Sequence, residues 1–229
     1  MLPALAGLTL TACSAAGPPP PQHTGWSIRY TERAGTSDRP LEVGPALTLH
    51  VLDGEARGAA VARNRSARWR AADPASAERC AEGRCAPSPR VDALCALAGL
   101  DALAAPPNLT EQSPTVQRTD DDEIIAGVRT RGARFVTALV GPGTRLALEV
   151  ETRFIADPSD PSAAAGREFF LAPLRRLGAD GMVAHITATV GLPLRWEARV
   201  TRYPADGTEP VVGVTVYRAA ELANPQTLR

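Results

Sequence analysis

The side chains of this 229-residue chain best suited to nucleophilic or metal chemistry are four cysteines, Cys13, Cys80, Cys85 and Cys95, and three histidines, His23, His50 and His185. Their spacing limits what they can do. The stretch CAEGRC holds Cys80 and Cys85 at the ends of a short loop that bends through Gly83, an arrangement that an oxidising compartment would close as a disulfide. Cys95 falls on the apolar face of a helix-spaced segment and reads as a buried free thiol, packing as a small hydrophobe. The cysteine spacing does not fit zinc, and no histidine lies beside the cysteines in sequence. No HExxH, GxSxG or phosphate-binding loop occurs. Nothing local marks an activated serine, so the chain reads as non-catalytic, with no metal and no cofactor.

Two charge clusters remain. The run Thr119-Asp120-Asp121-Asp122-Glu123 offers oxygen ligands but lacks the alternating spacing and central glycine of a calcium loop, so a solvated linker is expected. Arg63, Arg65, Arg68 and Arg70 surround Trp69. On a strand, alternate residues would gather several arginines on one side, facing lipid headgroups or an acidic partner; the other reading is an edge strand protected by its charge. His50 should face outward beside Thr48, and His185 should lie in a turn-to-strand region, VAHITATV.

The fourth cysteine sits in a different context. Leu2 to Leu10 form an apolar run far shorter than the roughly 20 residues of a membrane-spanning helix, so it reads as the core of a secretory leader. The residues that follow, LTAC, resemble the bacterial lipobox, in which the leader is cut before the cysteine and its thiol is acylated. This resemblance implies a signal peptide over 1–12, shortened at its start because MLPALAG carries no Lys or Arg, and lipidation of Cys13. Residues 13–24, SAAGPPPPQHTG after the cysteine, form a proline-rich tether that holds His23 and has little to pack. Ser14 rather than Asp after Cys13 resembles the outer-membrane sorting pattern, which implies a lipid anchor at the outer membrane, facing the periplasm.

Residues 25–229 suit a single domain. The 25 basic residues, all arginine, balance 25 acidic ones, so no global positive field draws in nucleic acid. Aromatics at 4 % argue against base-stacking platforms.

The elements that must position these residues are mostly strands. In RLALEVETRF, Leu146, Leu148, Val150 and Phe154 share one parity, while Arg145, Glu149, Glu151 and Arg153 share the other, predicting one buried and one wet face. The same alternation runs through WSIRYTER, ALTLHVL, ARFVTALV, LRWEARV and VVGVTVY. Asp53-Gly54, the GPGT at Gly141 and PADGTEP read as hairpin connections, making neighbouring strands antiparallel. Two helices should cover the sheet: one from about Val91 to Leu103, and one in REFFLAPLRRLG that Pro173 breaks or kinks. NLTEQSPTVQRTDDD and DPSDPSAAAG read as linkers. The fold class is α+β, mainly β: a curved antiparallel sheet packed on one or two short helices.

In its C-terminal half the chain resembles bacterial envelope lipoproteins of the LolA and LolB type. The likeness rests on Ile125-Ala126-Gly127, on Phe154-Ile155-Ala156-Asp157 and on Gly191-Leu192-Pro193-Leu194, in that order, although Thr130 stands where members often carry cysteine and Phe154 where they carry Trp. The resemblance implies an open half-barrel with an apolar concavity that receives acyl chains. Function is therefore expected to be that of a membrane-anchored envelope lipoprotein binding a lipid or other apolar ligand. The alternative is a structural or protein-interaction domain with a filled core.

Overall fold

The structure, a computed structural model, describes residues 25–36, 39–103 and 108–223. Residues 1–24, on which the expected leader and tether fall with Cys13 and His23, lie outside the described residues. From Gly25 the chain runs a six-stranded meander: β1 (Gly25–Thr36), β2 (Arg39–Leu52), β3 (Glu55–Ala60), β4 (Arg65–Arg70), β5 (Ser76–Ala81) and β6 (Arg84–Pro89). Helix α1 (Arg90–Leu97) follows. Strands β7 (Thr110–Glu111), β8 (Thr115–Ile125), β9 (Val128–Gly141) and β10 (Thr144–Ile155) come next. Helices α2 (Pro161–Leu177) and α3 (Asp180–Thr189) precede the closing pair, β11 (Leu192–Pro204) and β12 (Val211–Ala223).

All strands join one sheet in the order β6-β5-β4-β3-β2-β1-β12-β11-β10-β9, with β7 and β8 both on the far edge of β9. Every pairing among the described residues is antiparallel. The two edges do not meet, so the sheet is open. It is also strongly curved. Helix α2 packs against β2, β3 and β11 on the hollow side of the sheet. The fold is α+β, mainly β, with helices in the concavity.

The alternation has the expected outcome. Leu146, Leu148, Val150 and Phe154 are buried, as are Ile28, Tyr30, Leu47, Leu49 and Val51 across the sheet. Helix α2 brings Phe169, Phe170, Leu171 and Leu174 into the same core. It lies close to the sheet because Gly166 has no side chain: a Cβ there would stand 2.5 Å from Leu192 and 3.2 Å from Val51. Asp53-Gly54 adopts the doubly left-handed turn, φ 51° and 76°, of a two-residue hairpin. Trp69 anchors β4 to the helix by donating its indole N–H to Ala165 O at 2.7 Å.

Several expectations need correction. The segment DPSDPSAAAG is not a linker beyond Asp160: Asp160 caps α2 by accepting from the amides of Ser162 and Ala163, and Pro161 occupies the first turn, where its missing N–H is harmless. Pro173 lies inside α2 without ending it. Helix α1 stops at Leu97 rather than running to Leu103, and Gly99 follows in a left-handed turn with φ 75°. NLTEQSPTVQRTDDD supplies β7 and most of β8. VAHITATV is not a turn leading into a strand; it lies in α3, where Met182, Val183 and Ile186 are buried and His185 is exposed.

Candidate functional site

A cavity of about 190 Å³ opens between α2 and the concave face of β1, β11 and β12. Phe169, Phe170 and Leu174 come from the helix, Trp196 and Val200 from β11, and Tyr217 from β12; Leu100 and Leu103, beyond α1, complete the wall. The aromatic rings meet edge to face: Phe169 and Tyr217 have centroids 5.4 Å apart, and Phe170 and Tyr217 5.8 Å. Such a lining favours an apolar occupant.

A buried polar cluster lies beside the cavity. Glu32 of β1 and Tyr217 of β12 are direct cross-strand partners, and Trp196 of β11 pairs with Tyr217 on its other side. Glu32 is 3 % exposed. Its Oε1 accepts from Arg63 Nη2 at 3.1 Å, and Arg63 Nη1 donates to Leu97 O at the end of α1. Glu32 Oε2 and the Tyr217 hydroxyl are buried with no hydrogen bond of ordinary geometry. Burial pushes the Tyr217 phenol well above its usual range, and the Glu32 charge adds to the shift. For Arg63, burial pulls downward but the Glu32 hydrogen bond and charge prevail, leaving the guanidinium above its ordinary value. One signal for this cluster was available in the sequence: Glu32 has the same parity as Trp26, Ile28 and Tyr30, an acid on a core-facing row.

A second, more open cleft of about 920 Å³ lies at the start of β1, beside Trp26, His50, Asp53, Arg57 and Pro161. Its charges are largely internally matched. Glu55 accepts from Arg68 at 2.6 and 2.9 Å, from Arg57 at 3.3 Å and from Arg70 at 3.4 Å. The Arg68 hydrogen bonds lower the Glu55 carboxyl to about 2. The arginines around Trp69 therefore do not form one basic face. Arg68 and Arg70 share the outer face with Glu55; Arg65 pairs with Asp101 and donates to Ala96 O, while Arg63 turns inward to Glu32. Nor is β4 an edge strand, since it pairs with both β3 and β5.

The acidic run is likewise built into the sheet. Thr119 pairs with Gly132 and Glu123 with Thr130, so residues 120–122 bulge opposite Arg131. The bulge covers Arg153, whose Nη2 meets Asp121 at 2.6 Å. Arg153, expected on the wet face, is for that reason only 5 % exposed. Glu123 bridges Arg153, Arg195 and Arg218 from three different strands. Among the described residues, no group of three or more His, Cys, Asp or Glu side chains is placed to hold a metal ion.

Cys80 and Cys85 are cross-strand partners in the β5–β6 hairpin and form a disulfide with Cα atoms 4.1 Å apart. Cys95 is a buried free thiol in α1, pushed up to about 11 by burial, which suits packing rather than reactivity. His50 is exposed on β2.

The three motifs behind the envelope-lipoprotein resemblance have structural roles. Ala126 and Gly127, φ 49° and 79°, make the β8–β9 turn. Ile155 pairs with Leu192 and Phe154 with Pro193, and Pro193 O accepts the buried Tyr30 hydroxyl at 2.5 Å. Gly191 is required between them, because a Cβ would lie 2.2 Å from Ile155 O. No family model matches the chain, and no curated protein is similar enough to count as a relative.

Proposed function

We propose that this chain is a non-catalytic lipoprotein of a bacterial envelope, acylated at Cys13 and held at the outer membrane on the periplasmic side, whose half-barrel receives the apolar part of a lipid-like ligand. The observation that carries the ligand reading is the cavity walled by Phe169, Phe170, Leu174, Trp196 and Val200 beside the buried core. At roughly 30 Å³ per water-sized group, its 190 Å³ suits one short stretch of acyl chain rather than a whole lipid. The anchor reading rests on LTAC and on the proline-rich tether after it; two or more acyl chains on one cysteine would hold the domain stably.

A second reading is an anchored structural or protein-interaction domain without a small-molecule ligand. What favours it is how far α2 fills the concavity with its aromatic pair. Two measurements decide. Labelled palmitate should enter the native chain and not Cys13→Ala, which should also leave the membrane fraction; equal labelling of both overturns the anchor. Binding of 1-aminoanthracene that Ala198→Phe abolishes supports the cavity, whereas no binding by the native chain leaves the filled-core reading.

A further inference from the structure

The cavity has a buried end and an open end. Strand pairing lays its floor out in rows: Trp196 beside Tyr217, then Ala198 beside Thr215 and Ala34, then Val200 beside Gly213, all of them lining residues. Trp196 and Tyr217 are buried, whereas Ala198, Thr215, Val200 and Gly213 are half-buried and Ala34 is exposed. The mouth therefore lies at the Val200 end. One row further out stand Leu146, Arg202 and Val211. Alternation along β11 keeps Arg202 on the same face as Val200 and Trp196, and the distance along the strand from Trp196 to Arg202 is about 20 Å. Arg202 is exposed, and Val211 beside it is 51 % exposed, so a cation and an uncovered apolar side chain meet just outside the opening. Among the described residues no carboxylate stands within ion-pair distance of Arg202. Asp206, in the turn after β11, takes its hydrogen bonds from Thr208, and the Arg202 charge is the least of the influences on it. Other charges next to lining residues are matched: Asp101, after Leu100, pairs with Arg65, and Arg176, before Leu177, pairs with Asp92. Arg202 is thus a cation with room for a counter-ion at the end of an apolar slot.

We propose, resting on the cavity reading above, that the ligand is a single-chain anionic amphiphile, its tail laid from Val200 toward Phe170 and Trp196 and its head paired with the Arg202 guanidinium. The planar fork of N–H donors suits a carboxylate or a phosphate. An uncharged head forgoes that pairing, and a cationic head is repelled. The carboxylate of a fatty acid and the phosphate of a monoacyl phosphate ester share this chemistry, and decanoate and decyl phosphate tell the two sources apart.

The test is displacement of 1-aminoanthracene from the full chain by decanoate, decyl phosphate, 1-decanol and decyltrimethylammonium at pH 7.5 and low salt, repeated with Arg202→Gln and with Arg199→Gln, whose side chain lies on the opposite face of β11. Both arginines are exposed, so neither change should disturb the fold. At least one anion should displace the probe at about two- to fivefold lower concentration than 1-decanol, the gain of an exposed ion pair, and the ammonium should be the weakest. Whichever anion leads names the source, and equal gains mean that the site reads charge alone. Arg202→Gln should abolish the preference and leave 1-decanol unaltered; Arg199→Gln should keep it. Equal potency of both anions and 1-decanol, a preference for the ammonium, or an anion preference that survives Arg202→Gln overturns the head-group inference and leaves the cavity standing. Failure of the probe to bind at all removes the cavity reading and this inference with it.

Discussion

Replacing Phe170 with alanine should lower stability by about 4 kcal/mol. The side chain is 3 % exposed, and its ring lies 5.1 Å from Phe169, 5.3 Å from Trp196, 5.6 Å from Tyr30 and 5.8 Å from Tyr217, centroid to centroid. Truncating a buried Phe costs about 3–5 kcal/mol, depending on how far the surroundings collapse into the space. Collapse is restricted here because three of the neighbouring rings, Tyr30, Trp196 and Tyr217, are held on separate strands and because one side of Phe170 already borders a cavity. The aromatic contacts, worth about 0.5–1.5 kcal/mol per pair, are already contained in that range, and the value is set near its centre. For a domain of this size that corresponds to a fall in Tm of about 8–16 °C. Urea unfolding followed by far-UV circular dichroism should show a lower midpoint with an unchanged slope. The new void joins the existing cavity, so the destabilised variant should bind 1-aminoanthracene more tightly than the native chain. A loss below about 1.5 kcal/mol, or weaker probe binding in a folded variant, would refute the packing described for α2.

Three further outcomes follow from other parts of the fold. Gly191→Ala drives a Cβ into Ile155 O, 2.2 Å away, and should cost at least about 2–3 kcal/mol by forcing the backbone apart, read as a lower denaturation midpoint. Glu168→Ala leaves Arg90, 4 % exposed and 2.9 Å from that carboxylate, buried without its ion-pair partner and should cost about 3–5 kcal/mol, whereas the double change Glu168→Leu with Arg90→Met should cost much less; a double-mutant cycle measures the difference. Because the folded Glu55 carboxyl lies at about 2, below its unfolded value, its contribution is complete above the unfolded carboxylate range and fades as pH falls toward 2. Tm measured from pH 6 down to pH 2 should therefore decline less steeply in Glu55→Gln than in the native chain.

Period-two alternation made the sheet legible, since one buried face forces an apolar residue at every second position. The same rule failed where tertiary packing overrode local pattern. VAHITATV is rich in β-branched residues and reads as strand, yet Met182, Val183 and Ile186 are buried on α3, and helical spacing decides against propensity. Asp160-Pro161 carries two meanings, turn and helix start, and only the burial of Phe169 and Phe170 selects the second. The acidic run looked like solvent-facing linker because its partners, Arg153, Arg195 and Arg218, come from strands distant in sequence. Of the candidate site, Phe169, Phe170, Leu174 and Trp196 were legible as apolar core positions, whereas the cavity between them was not, because a filled core uses the same alternation; the pairing of Glu32 with Tyr217 depends on β1 meeting β12 across the whole chain. Arg63 reaches Glu32 from the short helical turn Val61–Arg63, which no periodicity marks.

The most direct measurement of the central claim is native mass spectrometry of the full chain released from bacterial membranes, beside its Ala198→Phe variant. The expected spectrum shows a covalent increment for acyl groups on Cys13 and, in the native chain alone, one additional non-covalent apolar ligand per molecule that is lost on denaturation. A native chain that carries neither increment, and takes up no lipid when one is supplied, would contradict it.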